Sequence, residues 1–423
     1  MAVKINPFNP NSPVNPGMFA GRGNELIRLD SALQQTRAGF PKNFMITGER
    51  GIGKTSLLDY IRDVAAGEIA DFDDKYLNFL VVQLDIDSNT SQLSLMERIE
   101  ATLERNLGKT EKARKFLKES WRFLKKLEAG GVRLREDQIS SKELLLDDFA
   151  YSLAKTVNRI TDADVDDMFD SAYDGILLMI DECDKASKDL DLGSFLKLLL
   201  ERVQRNGCRN FMVGIAGLPN LRDVLYSSHE SSLRLFDEMK LDRLDSSEIF
   251  SVIDSCLRSS KEINGFETRI DEAAKEFMAK VSEGYPHFIQ QVGYCTFDYD
   301  DDNFIDKADV AAGSFGEGEA MALIGDRYYR DDYYNKIQKD AYRRVLRIMA
   351  DSGSDWVKKA DIKKKFTGKD STLDNALQAL RKRNIIQTKQ GARGVYRLQS
   401  NAFALWIRLY TDQSSFVPSD EPF

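Results

Sequence analysis

Histidine is nearly missing from this chain: 423 residues contain 2, together with only 4 cysteines. Those cysteines, Cys183, Cys208, Cys256 and Cys295, lie far apart, and no pair has the CxxC spacing. The shortage argues against a zinc cluster, a disulfide framework and His-based metal chemistry. Long apolar runs are lacking too, none approaching the ~18 residues that cross a bilayer. The opening MAVKINPFNPNSPVNPGMF is polar and proline-rich, without the apolar stretch of a secretory signal. A cytoplasmic protein with no membrane partner is the expectation.

What is plentiful is core material and charge. Hydrophobic residues make up 42% and charged residues 30%, enough to bury a sizeable core. The length suits two or three domains at roughly 150 residues each. The net charge of −8 is unevenly spread: Lys336 to Arg397 holds 17 Lys+Arg against 6 Asp+Glu, or +11, leaving −19 for the remainder. A basic segment on an acidic body points to a module that faces nucleic acid.

Short apolar runs alternate with helical patterns along the first half. Phe44–Thr47, Phe79–Asp87, the run GILLMIDECD (Gly175–Asp184), Asn210–Leu221 and Met239–Leu244 read as strands, which implies a doubly wound parallel α/β sheet. A helix is expected over Phe19–Phe40, and a helical insert at about 94–160 is broken at Gly130-Gly131, where VRLRE suits a short arm. The expected organisation is an extended arm (1–18), an α/β core (19–245), an all-helical lid (246–330) carrying the acidic loop Asp298–Asp309, a three-helix-plus-hairpin domain (331–412) and a tail (413–423). In that last domain the helices fall near Tyr334–Ser352, Lys358–Phe366 and Ser371–Arg383, and the turn Gln390–Arg393 joins two strands in a winged-helix pattern.

Two motifs carry chemistry. Gly48-Glu49-Arg50-Gly51-Ile52-Gly53-Lys54-Thr55, followed by Ser56, fits G-x-x-x-x-G-K-[ST] between a strand and a helix. Its glycines let backbone N–H groups turn inward around phosphate oxygens, and the helix adds its positive end. Lys54 would reach the β- and γ-phosphates and Thr55 would ligate Mg2+. Downstream, the strand Ile176–Ile180 delivers Asp181 and Glu182. Asp181 would complete the Mg2+ shell, and Glu182 would polarise the attacking water as general base. ATP and Mg2+ are thus the expected cofactors.

The order FAGRGNEL, GERGIGKT, LLMIDECD, GIAGLPNL resembles AAA+ and STAND-type P-loop ATPases, above all the origin-recognition initiators and transposition regulators, from about Phe19 to Tyr410. The resemblance implies that Phe19, Gly21, Arg22 and Glu25 lie near the base and ribose. It places Arg234 as an arginine finger acting on a neighbouring copy, with Arg222 and Arg243 as alternatives, and so a homo-oligomer built through the ATP interface. The sensor strand Phe211–Ala216 lacks its usual polar side chain, Asn220 being the one nearby, and the lid's sensor region has Pro286 and His287 where many relatives have arginine. The basic insert helix, with Lys109, Lys112, Arg114, Lys115, Lys118, Arg122, Lys125 and Lys126, is either a solvated face or a DNA contact. Lys363, Lys364, Lys365, Arg381, Lys382, Arg383, Lys389, Arg393 and Arg397 suit duplex DNA on a winged helix. The ending NAFALWIRLY resembles STAND proteins, in which this domain docks on protein instead. Two functions follow from the resemblance: a DNA-engaging ATPase whose nucleotide state controls assembly, or a signalling switch of antiviral defence that activates a separate effector protein.

Overall fold

In this computed structural model the described residues are 4–12, 19, 21–124, 142–162, 168–169, 172–352, 356–383, 385–389 and 391–411. The expected VRLRE arm, Lys125, Lys126, Gln390 and the tail 413–423 lie outside them. Two compact units divide the chain, Pro13–Asp242 and Met1–Ser12 with Arg243–Phe423.

In the first unit, apolar runs become strands because both their faces are covered. The strands are β1 (Asn43–Gly48), β2 (Phe79–Asp85), β3 (Gly175–Asp181), β4 (Phe211–Gly217) and β5 (Phe236–Leu241). Every residue of β3 and β4 is buried. All pairings are parallel, in the order β2-β3-β4-β1-β5. The carboxyl ends therefore share one edge of the sheet, where α/β proteins bind ligands. The fifth strand begins three residues earlier than the sequence pattern indicated, because Phe236 enters the core together with Met239 and Leu241.

Helices α1 (Gly23–Arg37) and α2 (Lys54–Ala65) flank β1. The insert between β2 and β3 holds α3 (Gln92–Leu107), α4 (Glu111–Ser120) and α5 (Lys142–Ile160). It is part of the main core: Leu103, Leu117, Trp121 and Phe149 cluster with Ile176 and Val213. Helices α6 (Leu192–Arg205) and α7 (Leu221–Ser228) complete the unit.

The second unit contains α8 (Ser246–Asn264), α9 (Glu272–Ser282), α10 (Pro286–Tyr299), α11 (Lys307–Phe315) and α12 (Ala320–Tyr328). It is not all helical. Two-residue strands β6 (Arg269–Ile270) and β7 (Phe304–Ile305) pair in parallel, so the acidic loop is ordered by backbone hydrogen bonds. Within that loop Asp306 caps α11, accepting from the N–H groups of Ala308 and Asp309.

Residues 4–12 pack into this unit. The Lys4 ammonium donates to the buried Asp300 carboxylate at 2.6 Å and lies 4.2 Å from the Phe297 ring centroid. Ile5 N–H donates to Asn264 Oδ1 at 2.8 Å, and Asn264 donates back to Ile5 O at 2.9 Å. Phe8 is 2% exposed and lies over Gly293 of α10, where a Cβ would meet its ring at 2.3 Å. Only glycine admits that approach.

Further on, α13 (Asp340–Ala350), α14 (Lys359–Lys365) and α15 (Asp370–Lys382) accompany an antiparallel sheet β8-β10-β9 made of Val357–Lys358, Val395–Leu398 and Ile386–Thr388. The expected hairpin thus gains a third strand. Helix α13 starts later than expected because Asp332–Lys336 forms a π turn, with Tyr333 and Ile337 both buried. Helix α16 (Asn401–Tyr410) buries Phe403 and Trp406 among Tyr329 and Tyr333. All four cysteines are buried and free, and burial pushes the thiols of Cys208 and Cys256 up to about 11 and that of Cys295 up to about 12.

Gly293→Ala is expected to displace Phe8 and cost about 1–3 kcal/mol of stability through overpacking. Denaturant unfolding and amide exchange of residues 5–9 measure this. Unchanged protection of those amides would mean that Phe8 is not what holds the segment.

Candidate functional site: a phosphate-binding edge

The loop after β1 turns through two glycines in the left-handed region, Gly51 at φ 78° and Gly53 at φ 95°. Gly53 is also the N-cap of α2 and supplies no capping side chain. The first-turn N–H groups therefore serve the loop's concavity, an arrangement suited to an anion. Ile52, buried beneath the loop, fixes its height over β1. The Lys54 ammonium donates to the carbonyls of Gly48 at 2.9 Å and Glu49 at 3.0 Å. Burial lowers the Lys54 pKa, against the opposing pull of the Asp181, Asp184, Glu182 and Glu49 carboxylates.

Two strands away, Asp181 ends β3 and is 5% exposed. Its Oδ2 accepts from Thr55 Oγ1 at 2.8 Å, and its Oδ1 accepts from Glu182 N–H at 2.7 Å. The hydroxyl and the carboxylate form a pair of adjacent hard oxygen donors, the type that Mg2+ takes when it also binds phosphate. Glu182 stands in the left-handed region at φ 56°. Its side chain is about half exposed and pairs with Lys185 at 2.5 Å. Asp184 Oδ1 accepts from Leu218 N–H at 2.9 Å, tying the turn after β3 to that after β4. Neither Lys185 nor Asp184 was singled out from sequence, although both lie within three residues of the Asp-Glu pair.

Other expected residues fall in several places. Arg22 is 6% exposed, and its guanidinium donates to Ile52 O at 3.1 Å, so it touches the phosphate loop itself. The Phe19 ring lies 5.1 Å from that of Tyr60 on α2. Asn220 caps α7 without a side-chain bond, three residues beyond the end of β4. Ser56 is half-buried in the first turn of α2.

Arg234 lies in the 3-10 turn Glu230–Leu235, exposed, with no ion pair or side-chain hydrogen bond among the described residues. The alternatives are both engaged: Arg222 pairs with Glu238, and Arg243 pairs with Glu283 at 2.9 Å over the Tyr285 ring. Pro286 and His287 belong to the second unit, where Pro286 opens α10 and His287 Nε2 faces an Arg327 guanidinium nitrogen at 2.6 Å. Arg327 was not foreseen.

The basic residues divide in a similar way. On the insert Lys112, Lys115, Lys118 and Arg122 are exposed and unpaired among the described residues, while Arg114 folds back onto Gly108 O at 2.8 Å. In the second unit Lys363 pairs with Asp370 at 2.6 Å and Lys364 with Asp361 at 2.9 Å. Lys389 and Arg397 lie 5.8 and 4.9 Å from the Trp356 ring centroid. Lys365, Arg381, Lys382 and Arg393 are exposed and make no ion pair among the described residues.

Replacing Lys54 by Ala removes an ammonium already held over the loop. ATP affinity, measured by fluorescent-nucleotide titration, is expected to fall by at least about 10–100-fold, the worth of one or two charge-assisted bonds. An unchanged affinity would mean that the loop does not hold the phosphates.

Comparison with known proteins bears on the same stretch of chain. Residues 18–213 match the AAA ATPase domain family. Among solved structures, the ORC2 protein of Aeropyrum pernix is 13% identical with a TM-score of 0.53, the match covering 92% of each chain. Cdc6p of Pyrobaculum aerophilum is 14% identical with a TM-score of 0.43, over 95% of this chain and 97% of that one. The likeness to the first is one of fold. No curated protein matches the sequence. Phosphate loop, Asp-Glu pair and strand order agree with the match of residues 18–213 to the AAA ATPase domain family.

Proposed function

We propose that the protein binds ATP with Mg2+, hydrolyses it slowly, and uses its nucleotide state to control self-assembly and engagement of duplex DNA through a basic winged helix formed by α13–α15 and their sheet. The observation that carries the reading is the 2.8 Å bond between Thr55 and Asp181, which joins the phosphate loop to the carboxylate pair. When bound, Mg2+-ATP supplies the electrophilic γ-phosphorus and withdraws charge from the leaving oxygens. Lys54 exchanges its two backbone carbonyls for phosphate oxygens. Glu182 takes the proton of the attacking water, after exchanging Lys185 for it. Arg234, exposed and uncommitted, serves the site of a second copy. Pro286 and His287 act as the lid's response to nucleotide, with Arg327 supplying the guanidinium that His287 lacks. Arg22 steadies the loop, and Phe19 with Tyr60 offers an aromatic surface for the base.

A second reading is favoured by the pairing of Lys363 and Lys364 with carboxylates, which lessens the charge available to DNA on α14. In it the same ATPase is a STAND-like switch of antiviral defence that assembles on ATP and activates a separate effector protein.

Steady-state hydrolysis with and without duplex DNA, at low and moderate salt, separates the two. Stimulation by DNA that fades as salt rises is expected, since phosphate contacts release counterions; Glu182→Gln should bind ATP yet show no turnover in either condition. Basal hydrolysis indifferent to DNA would sink the DNA reading and leave the effector switch. The finger is tested by mixing. Arg234→Ala and Lys54→Ala subunits should each be inactive alone and recover part of the activity together, because one supplies the site and the other the arginine. No recovery at any ratio would count against action between copies.

A further inference from the structure

A cavity of about 520 Å3 opens in the second unit between the π turn Asp332–Lys336, the start of α13 and the end of α15. Its volume lies in the range of sites for small organic ligands. Tyr342, 9% exposed, and Ala379 line it, with Lys336, Lys339 and Arg383 as cations and Asn335 and Gln338 as amides. No carboxylate is among the lining residues, in a chain whose net charge is −8.

The three cations are not equally committed. Lys336 is neutralised by Asp332 at 2.6 Å and Asp331 at 3.5 Å. Arg383 spends one nitrogen on the backbone carbonyl of Lys336, at 2.9 Å, which fixes the guanidinium at the cavity without neutralising it. Lys339 has no carboxylate partner among the described residues, and its ammonium lies 5.5 Å from the centroid of the Tyr342 ring. Lys339 is also the N-cap of α13 and gives that helix no side-chain cap. Two uncommitted cations and a positive helix end thus surround a flat ring and two amides. A π turn supplies one wall, a distortion that recurs at functional sites.

We infer that this cavity is a second nucleotide-binding site, separate from the phosphate loop. Lys339 and Arg383 take the phosphate, an aromatic base lies against Tyr342 and Ala379, and Asn335 and Gln338 meet polar edges. The shared chemistry is one nucleotide with its phosphate, whether free in solution or at the end of a nucleic-acid strand.

The test uses the full chain with Lys54→Ala, so that the phosphate loop is silent. ADP and a 5′-phosphorylated single-stranded oligonucleotide are titrated separately by calorimetry. At least one is expected to show a saturable site, weakened at least tenfold by Ala379→Phe, which fills the cavity without changing charge, and by Lys339→Glu. Saturation by ADP identifies a free nucleotide as the ligand, and saturation by the oligonucleotide alone identifies a strand end. Lys339 is exposed, so its variant keeps the test decisive if Ala379→Phe fails to fold. The inference is overturned if neither probe binds the Lys54→Ala protein, or if binding survives both cavity variants. The part of ATP binding lost on Lys54→Ala reports on the phosphate loop, so the two sites fail separately.

Discussion

Thr55 and Asp181 are 126 residues apart in sequence and 2.8 Å apart in space. Nothing local brings them together. The contact exists because β4 lies between β1 and β3, and because all three strands run the same way and end on the same edge. The placing of the glycine loop beside the Thr55 and Asp181 oxygens and Glu182 depends on that order. A parallel sheet buried on both faces makes the order stiff, and helices α3–α5 extend the same core across the insert. The bond between Asp184 and Leu218 adds a second tie along that edge, joining the turn after β3 to that after β4.

Charge in this protein is sorted by commitment as much as by position. Most arginines near the candidate site are spent on structure: Arg22 on the loop backbone, Arg222 on Glu238, Arg28 on Asp237. Arg234 is left exposed and unpaired among the described residues. Lys54 is buried enough to lower its pKa, so its charge is held at an energetic cost that phosphate would relieve. The same sorting divides the basic surfaces. The insert helix α4 keeps Lys112, Lys115 and Lys118 unpaired among the described residues, whereas part of the charge on α14 is cancelled by its own neighbours.

The sequence made the site more legible than its surroundings. Glycines at fixed spacing before Lys54 report a backbone that turns left-handed, and a wholly apolar strand before Asp181 reports burial on both faces. These signals are local, so they read directly. The pairing of Lys185 with Glu182, the use of Arg22 on Ile52 and the tie from Asp184 to Leu218 depend on how turns meet in space, and a single sequence carries little trace of that. The short strands β6 and β7 escaped notice because two residues make no periodic pattern. The π turn escaped because its cause is the joint burial of Tyr333 and Ile337. In the winged-helix pattern the helices were visible by period, while the ion pairs of Lys363 and Lys364 were hidden in a composition that looked uniformly basic.

The segment that seats Phe8 over Gly293 sets an order of events during synthesis. Lys4 and its partner Asp300 are 296 residues apart. At the usual pace of translation, roughly 5–20 residues per second, about 15–60 s pass between their appearances. The whole unit Pro13–Asp242 emerges in that interval. Residues 4–12 must therefore wait until α10 is made, Phe8 finding its seat over Gly293 only then. The unit that holds α10 is then closed by a segment made 296 residues ahead of Asp300, so synthesis that stops short of Asp300 leaves that segment without its partner.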